Sequence, residues 1–543
     1  MDKDARDFIN EYIASLPWLT IIESVNDTLV EDNYVGKIVI QSFKGDVEIM
    51  ITIPQDFPLK GIQFMCIGIT GYPHLMPNGL LCLNVAPAGN LAGELQEHFS
   101  KLRTWMMDYY ESGKQDAHFE YYIFDADPKI TFVFEEDGQK TRPAHCCGRF
   151  SYTSLRQQEI SDERVWLVTG IGDTPSRFSA TFMSFHQPTY EGLYFLLSRP
   201  PMINVNQGLT EYEDLLLLLT EEQKGYFFST AASISIRSGY QTGCIVIVGY
   251  EIPSLQSGLQ ELRWEPFFIS LQEYPLKRDP ITDEIIVRPS SVSRIHWCKG
   301  INASYERMFG RGRLCSELTS SKILVMGVGA VGSQLAHSLV RGGCRYIDIS
   351  DSDKIEPGNI CRSAYTFVKT DIPKVQELFN QLVGISPHLE MQFNIAIEPI
   401  LDSNKGYEKL KMYFSKYDFI FDCTTNKHLS IMLDGMQLPG RIINLSISNM
   451  ARHMVVITGV SQIHVLKNRI YNKISPDKRE PFYPETGCWS PTFEASNSDI
   501  AAPLHYVINE LNYRLEKQLI IASFMIVREE MNHSLAYELT YDL

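Results

Sequence analysis

The chain has 543 residues, of which 44% are hydrophobic and 21% charged, and it carries a formal net charge of -16 at pH 7. That length exceeds what one hydrophobic core supports, so several domains are expected. The acidic balance argues against a nucleic-acid or anionic-membrane partner, because phosphate binding requires basic surface.

The eleven cysteines are scattered and include no C-x-x-C pair. This pattern predicts a reducing cytoplasm and argues against both a disulfide framework and a structural zinc site. The opening MDKDARDFINEY is acidic and polar, so no secretory signal is expected. The most apolar run, residues 215–219, is far short of a membrane span. The whole reads as an α/β multidomain protein in three parts, residues 1–115, 116–300 and 301–543.

In the first part, residues 6–15 predict a short helix. Residues 35–43 and 47–53 alternate apolar and polar side chains around Lys44-Gly45-Asp46, the pattern of an antiparallel hairpin with one buried face. Pro54-Gln-Asp56-Phe-Pro58 ends the second strand, and residues 62–67 predict a third. Tyr72-Pro73-His74 and Asn78-Gly79-Leu-Leu-Cys82-Leu83 follow, with too much proline and glycine for regular structure, so Cys82 is placed in or beside a loop. A helix is predicted from about Gly93 to Tyr110. A lone cysteine is ordinarily a buried core thiol, but the motifs around Cys82 set it apart. This stretch resembles the ubiquitin-conjugating fold, an α+β fold with a P-x-D-Y-P turn, an H-P-N tripeptide and a catalytic cysteine in N-G-x-I-C-L. The resemblance implies that Cys82 carries an acyl group as a thioester. It also places His74 where the family has an asparagine that stabilises an oxyanion. An imidazole N–H donates a comparable hydrogen bond and also accepts a proton.

The middle part, 116–300, is the least informative. Residues 130–134, 165–169, 178–185, 193–197 and 244–249 read as strands, and one leucine-rich helix is predicted over about 211–226. No paired carboxylates, metal spacing or nucleophile motif stands out. The expectation is a mixed α/β connector that docks a protein substrate.

The last part centres on residues 322–374. Ile323-Leu-Val-Met326 is a short apolar run, followed at once by Gly327-Val-Gly329-Ala-Val-Gly332 and then an amphipathic helix. Strand, glycine turn and helix in that order predict a nucleotide site, because the glycines admit a phosphate or sugar and the helix N-terminus offers amides. A second strand, 346–349, leads to Asp351 and Asp353, at about the distance where an acidic residue meets a ribose hydroxyl. The glycines alone would suit NAD. Asn359, Arg362 and Lys374 argue for a triphosphate, whose cleavage requires positive charge on its oxygens. Another apolar strand, 419–421, ends in Asp422-Cys-Thr-Thr-Asn426, and strands over 441–445 and 454–459 extend the sheet.

GxGxxG, D-x-D, N-x-x-R, a lysine and D-C-x-x-N in this order resemble the Rossmann-like, ThiF-type adenylation domain of the ubiquitin-activating superfamily. The resemblance implies ATP and Mg2+. It assigns Gly327, Gly329, Gly332, Asp351 and Asp353 to the nucleotide cradle, with Asp351 on the ribose. It assigns Asn359, Arg362 and Lys374 to the phosphates and Asp422 to the magnesium. It also implies a homodimer in which Arg311 or Arg307, ahead of the first strand, reaches the triphosphate of the mate. The proline-rich stretch 473–497 predicts a long loop, which by resemblance is a crossover loop with Cys488 as its thioester cysteine. A final helix is predicted over about 505–531.

The order of parts resembles the fused conjugating and activating enzymes of bacterial CBASS antiphage operons. That resemblance implies activation of a protein C-terminus, transfer to Cys488 and then Cys82, and ligation to a target lysine. By the same resemblance the substrate is a nucleotidyltransferase of the cGAS/DncV-like class. Three rivals stay open: an adenylyltransferase for a sulfur carrier with an inert Cys82, an NAD-dependent enzyme, and a nucleotide-binding scaffold without catalysis.

Overall fold

A computed structural model describes residues 3–26, 29–30, 33–76, 78–114, 119–123, 126–136, 142–155, 163–186, 189–237, 244–254, 259–270, 276–281, 283–287, 293–395, 404–459, 462–475, 494–531 and 534–541. The chain divides into two compact units, residues 1–176 with 188–302, and residues 177–187 with 303–543.

The first unit opens with the helix Lys3–Ala14 and an antiparallel sheet. Its strands Leu19–Glu23, Asn33–Ile40, Val47–Pro54 and Gln63–Ile67 pair in chain order. Burial alternates strictly along Asn33–Ile40 and through most of Val47–Pro54, so the odd-even pattern in the sequence becomes one core face and one open face. The helix Leu91–Trp105 buries Leu95, Phe99, Leu102 and Trp105 in the core that this sheet shares. Its start is held by Asn90, whose side chain accepts from Gly93 N at 2.8 Å. The helix continues as a π-helical turn, Met106–Glu111.

Beyond it, Asp127–Phe134 pairs in parallel with both His296–Asn302 and Arg164–Ile171. These pairings close the larger sheet of this unit on itself. The enclosed core is aromatic, with Phe132, Phe134, Phe150 and Trp264. The expected helix over 211–226 is two helices, Tyr212–Leu216 and Glu221–Arg237. The run 178–185, expected as a strand, instead contributes the short helix Ala180–Met183 to the second unit. Ser179 starts this helix, its hydroxyl accepting from Phe182 N, a capping bond that its hydrophobicity does not reveal.

The second unit is a mixed sheet. Its order is Phe393–Asn394, Tyr346–Ser350, Lys322–Met326, Phe419–Asp422, Arg441–Ser448, His453–Gly459, Phe524–Met531 and Ser534–Thr540. The first five pair in parallel and the remainder antiparallel. Lys322–Met326 is flanked on one side by the strand that follows it and on the other by a strand from much later in the chain. Its C-terminal end is therefore a topological switch point, where open α/β sheets leave a crevice. Helices Ala330–Arg341, Lys374–Ile385 and Asn497–Glu516 cover one face of the sheet. Lys427–Met436 and Ile463–Lys473 cover the other. The helix expected over 505–531 ends at Glu516, and the chain then forms the antiparallel pair Phe524–Met531 and Ser534–Thr540. Among the described residues no helix is long and apolar enough to cross a membrane.

Candidate functional site

A cavity of about 1310 Å³ opens at the switch point. Its floor begins at Gly327, whose φ of +77° is open to glycine. A Cβ there would stand 2.8 Å from Thr424 Cγ2 and 2.9 Å from Thr424 N. At Gly332 a Cβ would lie 2.0 Å from the carbonyl oxygen of Gly327, so the helix Ala330–Arg341 approaches the turn as closely as it does only because that position is glycine. Gly329 is the N-cap of this helix, with open space where a side chain would be, and it lines the cavity.

Asp351 ties the turn to the next strand. Its Oδ2 accepts from Val328 N at 2.7 Å and its Oδ1 from Asp353 N at 2.8 Å. Burial pushes its carboxyl above the ordinary range, and the positive charge of Lys374 works against that rise. Asp353 holds Lys374 twice, through Lys374 Nζ at 2.8 Å and through its own carbonyl, which accepts from Lys374 N at 2.9 Å. The lysine is 7% exposed and lines the cavity. Asn359 and Arg362 lie on the same wall. Asn359 Oδ1 accepts from Glu356 N at 3.0 Å, leaving the amide nitrogen for another acceptor. The structure therefore brings Gly327, Gly329, Asp351, Asp353, Asn359, Arg362 and Lys374 to one cavity, with Gly332 directly behind it.

Asp422 is placed differently. It is 1% exposed and does not line the cavity. Oδ1 accepts from Thr424 N at 3.0 Å and Thr424 Oγ1 at 2.6 Å, while Oδ2 accepts from Asn444 Nδ2 at 2.8 Å and Ser430 Oγ at 3.1 Å. These four donors fill the lone-pair directions of a carboxylate. The residues as they stand do not fit a magnesium ion at Asp422, because an ion there would have to displace one of these donors. Among the described residues no group of three or more His, Cys, Asp or Glu is arranged to hold a metal. Thr424, Ser430 and Asn444 were not singled out in the sequence. Thr424 reaches Asp422 within the turn after the strand, whereas Ser430, on the helix Lys427–Met436, and Asn444, on the next strand, lie 8 and 22 positions away and meet it only in the fold.

The far wall is also new. His464, Lys467, Asn468, Tyr471 and Asn472 of the helix Ile463–Lys473 line the cavity. No helix is expected here from the sequence, and none of these residues is singled out there. Arg311 is exposed and does not line its own chain's cavity. Residues 476–493, Cys488 among them, lie outside the described residues.

In the first unit, Cys82 is exposed and its backbone N–H donates to His74 O at 2.8 Å. His74 is itself exposed, with φ +59°, and its ring stands edge-on to Tyr109 at 4.9 Å. Trp105 Nε1 donates to Pro73 O at 2.8 Å, fixing the turn from the helix side. By contrast Cys66 is buried, and burial pushes its thiol up to about 12. Of these two cysteines, only Cys82 is accessible.

The ThiF family model matches residues 305–465. A segment of 221 residues is 26% identical to the ATP-dependent ubiquitin transferase-like protein Cap2 of Enterobacter hormaechei subsp. hoffmannii, covering 39% of this chain and 36% of that protein. A second relative is tRNA threonylcarbamoyladenosine dehydratase 2 of Saccharomyces cerevisiae, 33% identical over 20% of this chain and 24% of its own length. A third is the molybdopterin-synthase adenylyltransferase of Haemophilus influenzae, 28% identical over 22% of this chain and 46% of its own. These matches span between a quarter and a half of the relatives' lengths. The cavity lining from Met326 to His464 falls within the matched segment: the C-terminal unit carries a ThiF-family domain.

Proposed function

We propose that the protein activates the C-terminal carboxylate of another protein with ATP and passes the acyl group through two of its own cysteines to an amine. The observation that carries this reading is the gathering of Asp351, Asn359, Arg362 and Lys374 around a glycine turn in one cavity. Asp351 accepts from the ribose hydroxyls, and Lys374, Arg362 and the Asn359 amide meet the phosphate oxygens, where charge develops as the α-phosphorus is attacked. A carboxylate oxygen of the substrate forms a bond to that phosphorus and the bond to pyrophosphate breaks. The Cys488 thiolate then attacks the acyl carbon, and AMP leaves with its oxygen.

Residues 1–115 act as a ubiquitin-conjugating-like domain. The Cys82 thiolate attacks the thioester, Cys488 leaves as thiolate, and a lysine amine of the target displaces Cys82 and loses a proton. Each exchange divides a hard acyl transfer into easier ones. His74 sits beside Cys82 to donate to the oxyanion. The similarity to an ATP-dependent ubiquitin transferase-like protein supports the transferase chemistry. The resemblance of the order of parts to the fused enzymes of CBASS operons supports defence in the cytoplasm, with a cGAS/DncV-like nucleotidyltransferase as the substrate whose C-terminus is activated. The protein works as a homodimer, in which Arg311 serves the mate's cavity.

A second reading has its own support, since the family match covers 305–465 and leaves Cys82 outside. In that reading the chain is an adenylyltransferase for a sulfur carrier. A non-reducing gel with ATP and the nucleotidyltransferase separates the two. The relay requires a thiol-sensitive adduct that is absent in Cys488→Ala and is retained on Cys488 in Cys82→Ala, with no isopeptide product in the latter. Isopeptide product at the wild-type rate from Cys82→Ala would end the relay reading.

A further inference from the structure

The cavity spans more of the sheet than a ribose and its α-phosphate occupy. Asp351 follows the Tyr346–Ser350 strand, whereas Leu445, Ser446 and Ile447 line the cavity from the Arg441–Ser448 strand. Lys322–Met326 and Phe419–Asp422 lie between them, so the two ends stand three strand spacings apart, roughly 14 Å. That exceeds the few covalent bonds between a ribose hydroxyl and an α-phosphorus. Its volume of about 1310 Å³ also lies above the ~300–1,000 Å³ common for a single small ligand.

The helix Ile463–Lys473 walls the far end. Ile463, Leu466 and Ile470 pack into the apolar core beneath the sheet. His464, Lys467, Asn468, Tyr471 and Asn472 occupy the adjoining face at the spacing of successive turns, and that face is turned to the cavity. A surface helix normally gives its polar face to bulk water. This one is held in place by Asp434, whose two carboxylate oxygens accept from Ile463 N and His464 N, each at 2.8 Å. Those bonds cap the helix N-terminus and fix its first turn to the preceding helix.

Lys467 is the cation of this face. It is half-buried, and burial depresses its ammonium below the usual lysine range, with Asp422 opposing and Lys427 reinforcing. Asp422 offers it little, since that carboxylate already accepts four hydrogen bonds. The N-terminus of the helix Lys427–Met436 is not a competing anion site, because Asn426 Oδ1 accepts from both His428 N and Leu429 N. A half-buried cation facing a cavity fits an anionic oxygen from a ligand.

Resting on the adenylation reading, we propose that the Ile463–Lys473 helix forms the acyl half of the cavity and that Lys467 binds the carboxyl oxygens of the substrate's C-terminal residue, as carboxylate before adenylation and as carbonyl oxygen after it. The helix then belongs to substrate recognition, and Lys467 is a binding residue for the peptide end, with the nucleotide held by the opposite wall.

The test compares two probes by fluorescence competition: ATP, and glycyl sulfamoyl-adenosine, a non-hydrolysable acyl-adenylate mimic. Lys467→Met should bind ATP within about twofold of wild type and the mimic about tenfold more weakly, the scale of one charge-assisted hydrogen bond. Lys467→Arg should recover most of the loss, and Lys467→Gln serves if Lys467→Met does not fold. Unchanged affinity for the mimic overturns the proposal, leaving Lys467 a solvated surface group. An equal loss for ATP and mimic also overturns it, making Lys467 a phosphate ligand. A wild-type protein that binds neither probe removes the adenylation reading itself, and this inference with it.

Discussion

Replacing Asp422 with alanine tests whether that carboxylate is a structural acceptor. The side chain receives hydrogen bonds from Thr424 N, Thr424 Oγ1, Ser430 Oγ and Asn444 Nδ2. Ser430 is 2% and Asn444 0% exposed, so neither donor can turn to water once the acceptor is gone. A buried donor left unsatisfied costs about 1–3 kcal/mol. Both keep a weaker alternative, Ser430 Oγ to Asn426 O at 3.4 Å and Asn444 Nδ2 to Asp422 O at 3.2 Å, which places each toward the lower end. The sum is about 2–4 kcal/mol. For a unit of this size that lowers the melting midpoint by roughly 5–15 °C. Differential scanning calorimetry of the full chain, without nucleotide or metal, reads it directly. Ser430→Ala, which removes one donor and leaves the acceptor, should cost only about 1 kcal/mol. If Asp422→Ala melts within about 1 °C of wild type, the carboxylate is not bound as described and is open to a metal ion after all.

Lys374→Met removes the buried ammonium while keeping the aliphatic stem. ATP affinity, measured by calorimetric titration, should fall roughly 10- to 100-fold, the scale of a lost charged hydrogen bond. Stability should change little, because Asp353 is exposed enough to be rehydrated. The same variant has a pH signature. Lys374 opposes the burial that raises the Asp351 carboxyl, so without it Asp351 stays protonated to higher pH, and the acid limb of ATP binding moves upward in pH. Gly332→Ala drives a Cβ against the Gly327 carbonyl, so the turn must move; acyl-adenylate formation, followed by pyrophosphate exchange, should fall about 100-fold. Tyr109→Ala removes the ring that abuts His74 and should slow isopeptide formation about tenfold without slowing Cys82 thioester formation, both read on gels. Equal slowing of both steps would refute a role for Tyr109 through His74.

The elements legible in the sequence are those whose signal is local. The alternating strands of residues 33–54 and the apolar run ahead of Gly327 were found because their burial follows the side-chain period of the strand itself. The glycine turn was found because backbone conformation and close approach restrict residue choice at Gly327 and Gly332 whatever the partner. The cluster of Asp351, Asn359, Arg362 and Lys374 was legible because all four follow the turn within a short span and the strand order returns them to it. Asp422 shows where that reasoning stops. Its position at a strand end was correct, but its surroundings were set by Ser430 and by Asn444 of the neighbouring strand, which parallel pairing brings opposite it. The carboxylate is sealed by partners that a single sequence does not couple to it. The C-terminal strands replaced an expected helix because Phe524–Met531 completes a sheet edge offered by His453–Gly459, a pairing far apart in the chain. The Ile463–Lys473 helix was not assigned from the sequence, and which of its faces meets a cavity depends on Asp434 fixing its first turn and on strands that precede it. The sequence alone therefore determined the cavity wall that carries Asp351, Asn359, Arg362 and Lys374, whose residues are close in the chain. Only the tertiary structure decided the wall opposite, because hydrogen bonds and strand pairings between distant segments orient those side chains.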